Sequence, residues 1–211
     1  YYFGGTNFWY GAIRGSEGEG GDRERLAKGL DFMKAHGIDN LRVLIGGEGE
    51  NGLLGKIEPN LQPKPGEYND EVLAGLDYLL MELGKRDMTA VLYFNNAWEW
   101  SGGYTQYVAW ANNEPVLVPR VGGWFSYNAF AGEFVRHERA KELYYNHVRY
   151  IVTRTNRYTG IKYIDDPAIF SWQISNEPRA FSSKEQDNKE AFAEWITTSA
   201  KLIRELDPNH M

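Results

Sequence analysis

Cysteine is absent from the 211 residues of this sequence. No disulfide can therefore stabilise the fold, and thiol content says nothing about the redox compartment. No apolar run approaches the roughly 20 residues that span a bilayer. The first residues also lack the basic segment and apolar core of a signal peptide. The hydrophobic fraction of 42% and the aromatic fraction of 15% are typical of a globular chain with one sizeable core.

An excess of positive charge is absent as well. The net charge is −6 and the pI is about 5.3, and this balance argues against nucleic acid or an anionic membrane as a partner. A neutral substrate would be indifferent to the charge.

Nucleotide and metal motifs are missing too. No GxGxxG or P-loop pattern opens a helix, so a nucleotide site is not expected. Acidic residues in the loops 17–22 and 48–50 could bind calcium, but Gly-rich acidic loops of this kind are usually solvated turns. We therefore expect no cofactor and no metal. The histidines also lack close metal-ligand spacing; they are His36, His137, His147 and His210.

What the sequence does contain is an alternation of strand-like and helix-like segments. Strands are predicted at 1–8, 38–45, 88–94 and 168–175, and helices at about 22–36, 70–83, 138–156 and 187–206. The intervening residues 95–136 are interpreted as one long loop rich in aromatic residues, and loops this long are usually functional. Four strand–helix alternations predict βα units with a parallel sheet and right-handed crossovers.

The most informative stretch is AIFSWQISNEP at 168–178. Its apolar part lacks alternation, which is typical of a parallel strand buried on both faces. Pro178 has no N–H and disfavours the helical conformation at Glu177, so strand pairing should end there. This places Asn176 and Glu177 side by side at the C-terminal end of a strand, the edge at which α/β barrels carry out their chemistry. The alternative is a polar strand exit with a solvated glutamate.

The other predicted strands end in polar and indole side chains that should share this edge. A guanidinium inside an apolar strand is costly unless it is paired, so Arg42 indicates either a functional site or a structural salt bridge. Indoles cover the apolar faces of pyranose rings and amides bind hydroxyls, which favours a sugar site. Core packing is the other explanation for tryptophan, and we expect it for Trp172 and Trp195. The strand ends carry Asn7, Trp9, Arg42, Asn95, Asn96, Trp98, Asn176 and Glu177.

Several segments together resemble glycoside hydrolase family 5, in particular its endo-β-1,4-mannanase branch. They are GGTNFWYG, NLRVLI, LQPKPGEYND, GLDYLL, VLYFNNAWEWSGGYTQYVAWA and AIFSWQISNEPR. The resemblance implies an α/β fold, the (β/α)8 TIM barrel, of which residues 1–211 would supply about the first four βα units of a single catalytic domain. It also implies retaining, endo-acting hydrolysis of β-1,4-mannosidic bonds in mannan, glucomannan or galactomannan. A β-1,4-glucanase on the same barrel and a non-catalytic sugar-binding protein remain alternatives.

The resemblance also implies roles for individual residues. Glu177 would be the general acid/base, Asn176 would hold the sugar 2-hydroxyl, and Arg42 would orient the nucleophilic carboxylate. Arg179 would lie on the leaving-group side. The sugar subsites would be lined by Trp9, Asn96, Trp98 and Trp100.

One expected part is missing from the 211 residues. The nucleophile of the family is a glutamate at the end of the seventh barrel strand, beyond the segments matched here. We therefore expect the isolated chain to be inactive and a further polypeptide segment to complete the barrel. A β-mannan polysaccharide or oligosaccharide is the expected partner. A secreted protein, in an extracellular or periplasmic location, is implied by a polymer substrate that lies outside cells.

Overall fold

A single parallel sheet organises the molecule. The computed structural model describes residues 4–53 and 55–211, so the first three residues of the predicted first strand lie outside the described part. The strands are hydrogen-bonded in sequence order and every pair is parallel, which confirms the predicted sheet. They are β1 (Gly5–Asn7), β2 (Asn40–Leu44), β3 (Thr89–Tyr93) and β4 (Ile169–Gln173).

One or more helices follow each strand of the sheet. In the described residues, these are α1 (Gly11–Gly15), α2 (Arg23–Ala35), α3 (Asp70–Gly84), α4 (Gly103–Asn112), α5 (Pro119–Glu133), α6 (Glu138–Val152) and α7 (Lys189–Leu206). Short 3₁₀ turns lie at Glu99–Ser101, Phe134–Arg136 and Tyr163–Asp165. Within the described part, none of these helices has the length and apolarity needed to cross a bilayer.

The predicted start and end of α2 are confirmed by local hydrogen bonds and backbone conformation. The Asp22 carboxylate accepts a hydrogen bond from the Arg25 N–H at 2.9 Å, which satisfies one of the free donors of the first turn. Beyond the other end, Gly37 adopts φ +78°, a left-handed conformation that favours glycine. On α3 the cap is Asn69, one residue before the predicted start.

The prediction of a long loop at 95–136 is wrong, because α4 and α5 lie within it. Helix α4 is buried on all sides from Gly103 to Ala109, so its sequence shows no 3.6-residue alternation of polar and apolar positions. Helix α5 is interrupted at Gly123, where φ is +73°. Both features remove the periodicity on which a sequence prediction of helix depends.

Strand β4 differs from the prediction in length and burial. It ends at Gln173 rather than 175, and only Ile169 and Trp172 are buried on it. The reason is its position at the edge of the sheet. On its outer side, the Trp172 N–H donates to the Met211 carbonyl at 2.8 Å, so the last residue of the chain returns to this edge.

Aromatic packing holds α4, α6 and α7 together. Trp195 on α7 is fully buried, and its ring lies 5.3–5.5 Å from those of Tyr104, Phe134 and Tyr144. Two of these contacts are edge-to-face and the contact with Tyr144 is tilted, and aromatic pairs of this kind add to the stabilisation from buried area. The core roles predicted for Trp172 and Trp195 are confirmed, with exposed fractions of 7% and 0%.

A buried ion cluster joins α3 to the segment that follows α6. The Asp77 carboxylate is fully buried and accepts from Arg154 at 2.7 Å, from Arg157 at 3.3 Å and from the Tyr163 hydroxyl. Its carbonyl accepts from the Asn156 amide at 2.8 Å. Removing one member of a buried charged cluster leaves the others without compensation.

We therefore predict that Asp77→Asn destabilises the protein by about 3–5 kcal/mol, because it leaves Arg154 without a carboxylate partner in a buried place. The matched control is Asp70→Asn, which removes an exposed partner of Arg157 and should cost less than about 1 kcal/mol. Urea unfolding of the full-length protein measures both changes. Equal effects of the two substitutions would contradict a special role for the buried cluster.

Candidate active site

The C-terminal ends of β3 and β4 meet through two asparagines. The Asn176 N–H donates to the Asn95 carbonyl at 2.8 Å, and the Ala97 N–H donates to the Asn176 carbonyl at 3.1 Å. The Asn176 side-chain amide donates to Asn96 Oδ1 at 2.9 Å. Strand pairing therefore continues beyond Gln173 as a single parallel bridge between Asn96 and Asn176, and it brings two predicted site residues into contact.

Glu177 follows this bridge in an unusual backbone conformation. Its φ is +45°, a region that non-glycine residues adopt at a cost of order 1–2 kcal/mol and that occurs often at functional sites. The carboxylate is exposed, accepts a hydrogen bond from Trp98 Nε1 at 2.8 Å and lies 3.6 Å from Arg179. A strand-end glutamate thus sits against an indole N–H and a guanidinium.

Other aromatic rings pack around the Trp98 indole, and its N–H donates to Glu177. The ring of Tyr127 lies parallel to it at 6.3 Å, and Arg179 Cζ lies 4.9 Å from its centroid. Trp124 and Phe181 contact it edge-on at 6.0 and 5.8 Å. Of these neighbours, Tyr127, Trp124 and Phe181 were not among the predicted site residues, because their contacts join segments distant in sequence.

Arg42 lies near the end of β2, beside Gln173 of β4. Its Nε donates to Gln173 Oε1 at 2.7 Å, and its Cζ stacks 4.1 Å from the centre of the Tyr93 ring. Among residues 4–53 and 55–211, no carboxylate lies within 4.0 Å of this guanidinium. The described residues therefore supply no salt bridge for Arg42, and Gln173 is a neighbour that the sequence did not indicate.

Trp9 and Trp100 form a second aromatic pair on the same side of the sheet. Their rings meet edge-on at 5.5 Å. The Trp9 carbonyl accepts from the Leu44 N–H at 3.2 Å, and the Trp100 carbonyl accepts from the Ile57 N–H at 2.8 Å. These bonds place Trp9 at the end of β2 and join Trp100 to the loop that follows β2.

Glu48 lies beneath the turn formed by residues 98–103, which is named the Trp98 turn. The prediction that Glu48 belongs to a solvated loop is wrong. It is fully buried, and burial raises the pKa of its carboxyl to about 7. Lys56 nearby donates to the Glu48 carbonyl at 3.1 Å and to Gln106 at 2.8 Å, and burial lowers the pKa of this ammonium to about 8. In the described part of the chain, no group of three histidine or acidic residues could hold a metal ion.

His147 is a structural residue below the same edge. It is fully buried; its Nε2 lies 2.8 Å from the Ile45 carbonyl, and its Nδ1 lies 3.2 Å from the Tyr68 hydroxyl. Burial lowers the pKa of the ring to about 4, so the imidazole is neutral at pH 7. A neutral ring donates through one nitrogen and accepts through the other, which suits these two partners.

Comparison with known proteins identifies the chain's relatives. A family model described as glycoside hydrolase family 5 β-mannosidase-like matches residues 1–211. Putative mannan endo-1,4-beta-mannosidase 9 of Oryza sativa subsp. japonica is 36% identical over 152 residues, 72% of this chain and 33% of that protein. Mannan endo-1,4-beta-mannosidase 7 of Arabidopsis thaliana is 29% identical over 212 residues, with 100% of this chain and 44% of that protein covered.

A solved structure agrees with these sequence matches. The glycoside hydrolase family 5 mannosidase from Rhizomucor miehei superposes with a TM-score of 0.89 at 35% identity, covering 100% of this chain and 50% of that one. The chain thus spans half or less of the length of these relatives.

We predict that His147→Gln removes one acid-sensitive contribution to folding stability. The folded pKa of about 4 lies below the ordinary value of 6.5, so the unfolded state binds the proton more readily. The stability from the neutral ring is complete above pH 6.5 and is lost as the pH falls toward 4, by about 3 kcal/mol at most. Urea unfolding at pH 4–7 should therefore show the variant gaining stability relative to the parent as the pH falls.

The matched control is His36→Gln, which replaces an exposed histidine and should keep the parent's pH dependence. Glu48 contributes in the opposite direction, since its raised pKa makes its contribution decline as the pH rises from 4.5 to about 7. The difference between variant and parent at each pH is therefore the quantity to compare. An unchanged difference across pH 4–7 would contradict a neutral buried His147.

Proposed function

The chain belongs to the β-mannosidase-like group of glycoside hydrolase family 5, and we propose that it carries the acid/base side of an endo-acting, retaining site for β-1,4-mannosidic bonds in mannan, glucomannan or galactomannan. Its parallel strands and helices are βα units of the (β/α)8 barrel. The observation that carries the proposal is the position of Glu177, which follows β4 beside Asn176 and binds Trp98 and Arg179.

Glu177 has the exposure and neighbours that a general acid/base requires. In the first step, its carboxyl proton passes to the glycosidic oxygen as the bond between that oxygen and the anomeric carbon breaks. A second carboxylate then holds the sugar as a covalent ester. In the second step, the Glu177 carboxylate takes a proton from water, and the water oxygen replaces the ester oxygen at the anomeric carbon. The Trp98 N–H and Arg179 would orient the carboxylate throughout.

The second carboxylate is not supplied by the described residues. A retaining site needs its two carboxyl groups about 5–5.5 Å apart. Glu99 lies in the 3₁₀ turn beside Trp98 and Glu133 ends α5, so neither follows a strand of the sheet. Arg42, a cation at the site edge with an uncharged hydrogen-bond partner, is proposed to bind the missing nucleophile. The mechanism therefore requires a glutamate that residues 4–53 and 55–211 do not provide.

Substrate recognition is proposed for the remaining residues at this edge. Asn176 uses one amide N–H for Asn96, which fixes the orientation of its side chain for a hydrogen bond to the sugar 2-hydroxyl. Asn96, Trp9, Trp98 and Trp100 would border the sugar subsites, with Arg179 toward the leaving group. Since mannan polymers lie outside cells, the proposal implies a secreted, extracellular or periplasmic protein. A second polypeptide segment that supplies the nucleophile belongs to the same proposal.

We predict that Glu177→Ala in the full-length protein slows mannan hydrolysis by about 10²–10⁴-fold, because the leaving sugar loses its proton donor. An aryl β-mannoside with an activated leaving group should suffer less at the first step. Added azide should then accelerate its turnover by attacking the covalent ester without help from a base. The rates and the β-mannosyl azide product are measured directly.

The matched control for this experiment is Glu185→Ala, which removes an exposed glutamate from the following loop and should leave mannan hydrolysis unchanged. Parent-level activity of Glu177→Ala on mannan would overturn the assignment of the acid/base.

We also predict that kcat/KM on β-1,4-manno-oligosaccharides exceeds that on cello-oligosaccharides of equal length by more than tenfold. This corresponds to about 1.4 kcal/mol of transition-state discrimination. Mannose and glucose differ at the 2-hydroxyl, and contacts to that hydroxyl strengthen in the transition state of retaining enzymes. Equal or reversed values would favour the β-1,4-glucanase alternative, and binding of either sugar without hydrolysis would favour a sugar-binding protein.

A further inference from the structure

Glu48 is a buried acid that the mechanism above does not use. Its carboxylate is fully buried, and no lysine, arginine or histidine of the described residues lies within 4.0 Å of it. Burying an unpaired carboxylate is expensive unless hydrogen bonds compensate. The hydrogen-bond partners of this carboxyl group therefore show which part of the fold it stabilises.

Two hydrogen-bond partners of the carboxylate lie on α4. Glu48 Oε2 accepts from the Gly103 N–H at 2.9 Å, and Oε1 accepts from the Tyr107 hydroxyl at 3.3 Å. Gly103 is the first residue of the helix, where backbone N–H groups are free and a negative charge is favoured by the helix dipole. The carboxylate is thus directed at the N-terminus of α4.

The backbone of Glu48 binds the other side of the same turn. Its N–H donates to the Ser101 carbonyl at 2.9 Å, so Glu48 holds residues on both sides of Gly102. The turn is closely packed, since a Cβ added to Gly102 would lie 2.2 Å from the Glu48 carbonyl oxygen. Both Gly102 and Gly103 have positive φ, so glycine is the residue best suited to these positions.

The Trp98 turn, which Glu48 binds at Ser101 and Gly103, begins with Trp98 itself. The Tyr104 N–H, next to Gly103, donates to the Asn96 carbonyl at 3.1 Å, and the Trp98 N–H donates to Asn96 Oδ1 at 3.2 Å. Trp98 Nε1 then binds Glu177. Hydrogen bonds and short stretches of backbone therefore connect Glu48 to Glu177 through Gly103, Asn96 and Trp98.

We propose that Glu48 is a positioning residue that holds the Trp98 turn so that the indole N–H meets the Glu177 carboxylate. Glu48 touches no substrate in this role and acts through Gly103 and Trp98. The inference rests on the proposed function for its activity readout, but the position of Trp98 can be measured without any substrate.

The first test compares Glu48→Ala with Trp98→Phe in the full-length protein. Both substitutions remove the indole N–H bond to the proposed acid/base, so the alkaline limb of the kcat/KM profile should move in the same direction and by the same amount in both variants. The charged group within 4 Å of Glu177 in the described residues is Arg179, which is unchanged in both. The groups that act on the Glu48 carboxyl are also unchanged in both variants. They are Gly103, Lys56, Gly47 and Tyr107.

The double variant Glu48→Ala/Trp98→Phe should shift the limb no further than either single variant, because both remove the same hydrogen bond. Glu48→Gln keeps an oxygen acceptor for the Gly103 N–H and should recover most of the parent profile. Glu50→Ala, which removes an exposed acid two residues away, is the matched control and should behave as the parent. Glu48→Asp, shorter by one methylene and unable to reach both donors, replaces Glu48→Ala if the alanine variant does not fold.

A second measurement is independent of catalysis. The ¹⁵N-indole signal of Trp98, identified by its loss in Trp98→Phe, should shift when Glu177→Gln is added to the parent, to Glu48→Gln and to Glu50→Ala, because the indole N–H donates to Glu177. That response should be lost in Glu48→Ala or in Glu48→Asp. An indole signal that still responds to Glu177→Gln in these variants, or additive shifts in the double variant, would overturn the inference. If the parent hydrolyses no β-mannoside, the proposed function fails while the indole signal still decides the role of Glu48.

Discussion

The parallel alignment of β3 with β4 is the constraint on which the rest of the site depends. Parallel neighbours end at the same edge of a sheet, and the bridge between Asn96 and Asn176 extends this alignment beyond the regular ladder. The residue after the bridge is Glu177, and the residue two places after Asn96 is Trp98. Their hydrogen bond at 2.8 Å follows from this register. A shift of one residue would direct the side chains of that segment to the opposite face of the sheet.

Below this edge the structure places buried polar groups that support the loops rather than the chemistry. Glu48 holds the start of α4, and His147 joins the end of β2 to Tyr68. Each is costly to bury without partners, and each forms its hydrogen bonds with backbone or hydroxyl groups in the segments that follow β2 and β3. The indoles and amides of the candidate site are thus held from beneath, which would fix their geometry in advance for the proposed chemistry.

The described residues leave Arg42 without a carboxylate partner and leave β4 at the edge of the sheet. The guanidinium stacks on Tyr93 and binds an uncharged amide, although its charge would be better compensated by a carboxylate. Strand β4 is an edge strand whose outer side is met by Met211, and a closed barrel has no such edge. Both observations agree with relatives of which this chain covers half or less.

The sequence by itself determined the alternation of strands and helices, the boundaries of α2, and the placement of Arg42, Asn96, Asn176 and Glu177 at strand ends. Those features depend on local signals such as caps, periodicity and proline, which neighbouring residues supply. The tertiary structure alone decided that α4 and α5 are helices, that Glu48 is buried, and that Trp98 presents its N–H to Glu177. The last two features depend on contacts between residues that are distant in sequence. Glu48 and Gly103 are 55 residues apart, and Trp98 and Glu177 are 79 residues apart. Burial on all sides also removes the periodicity that would have indicated α4, and no local pattern records which distant group a buried side chain meets.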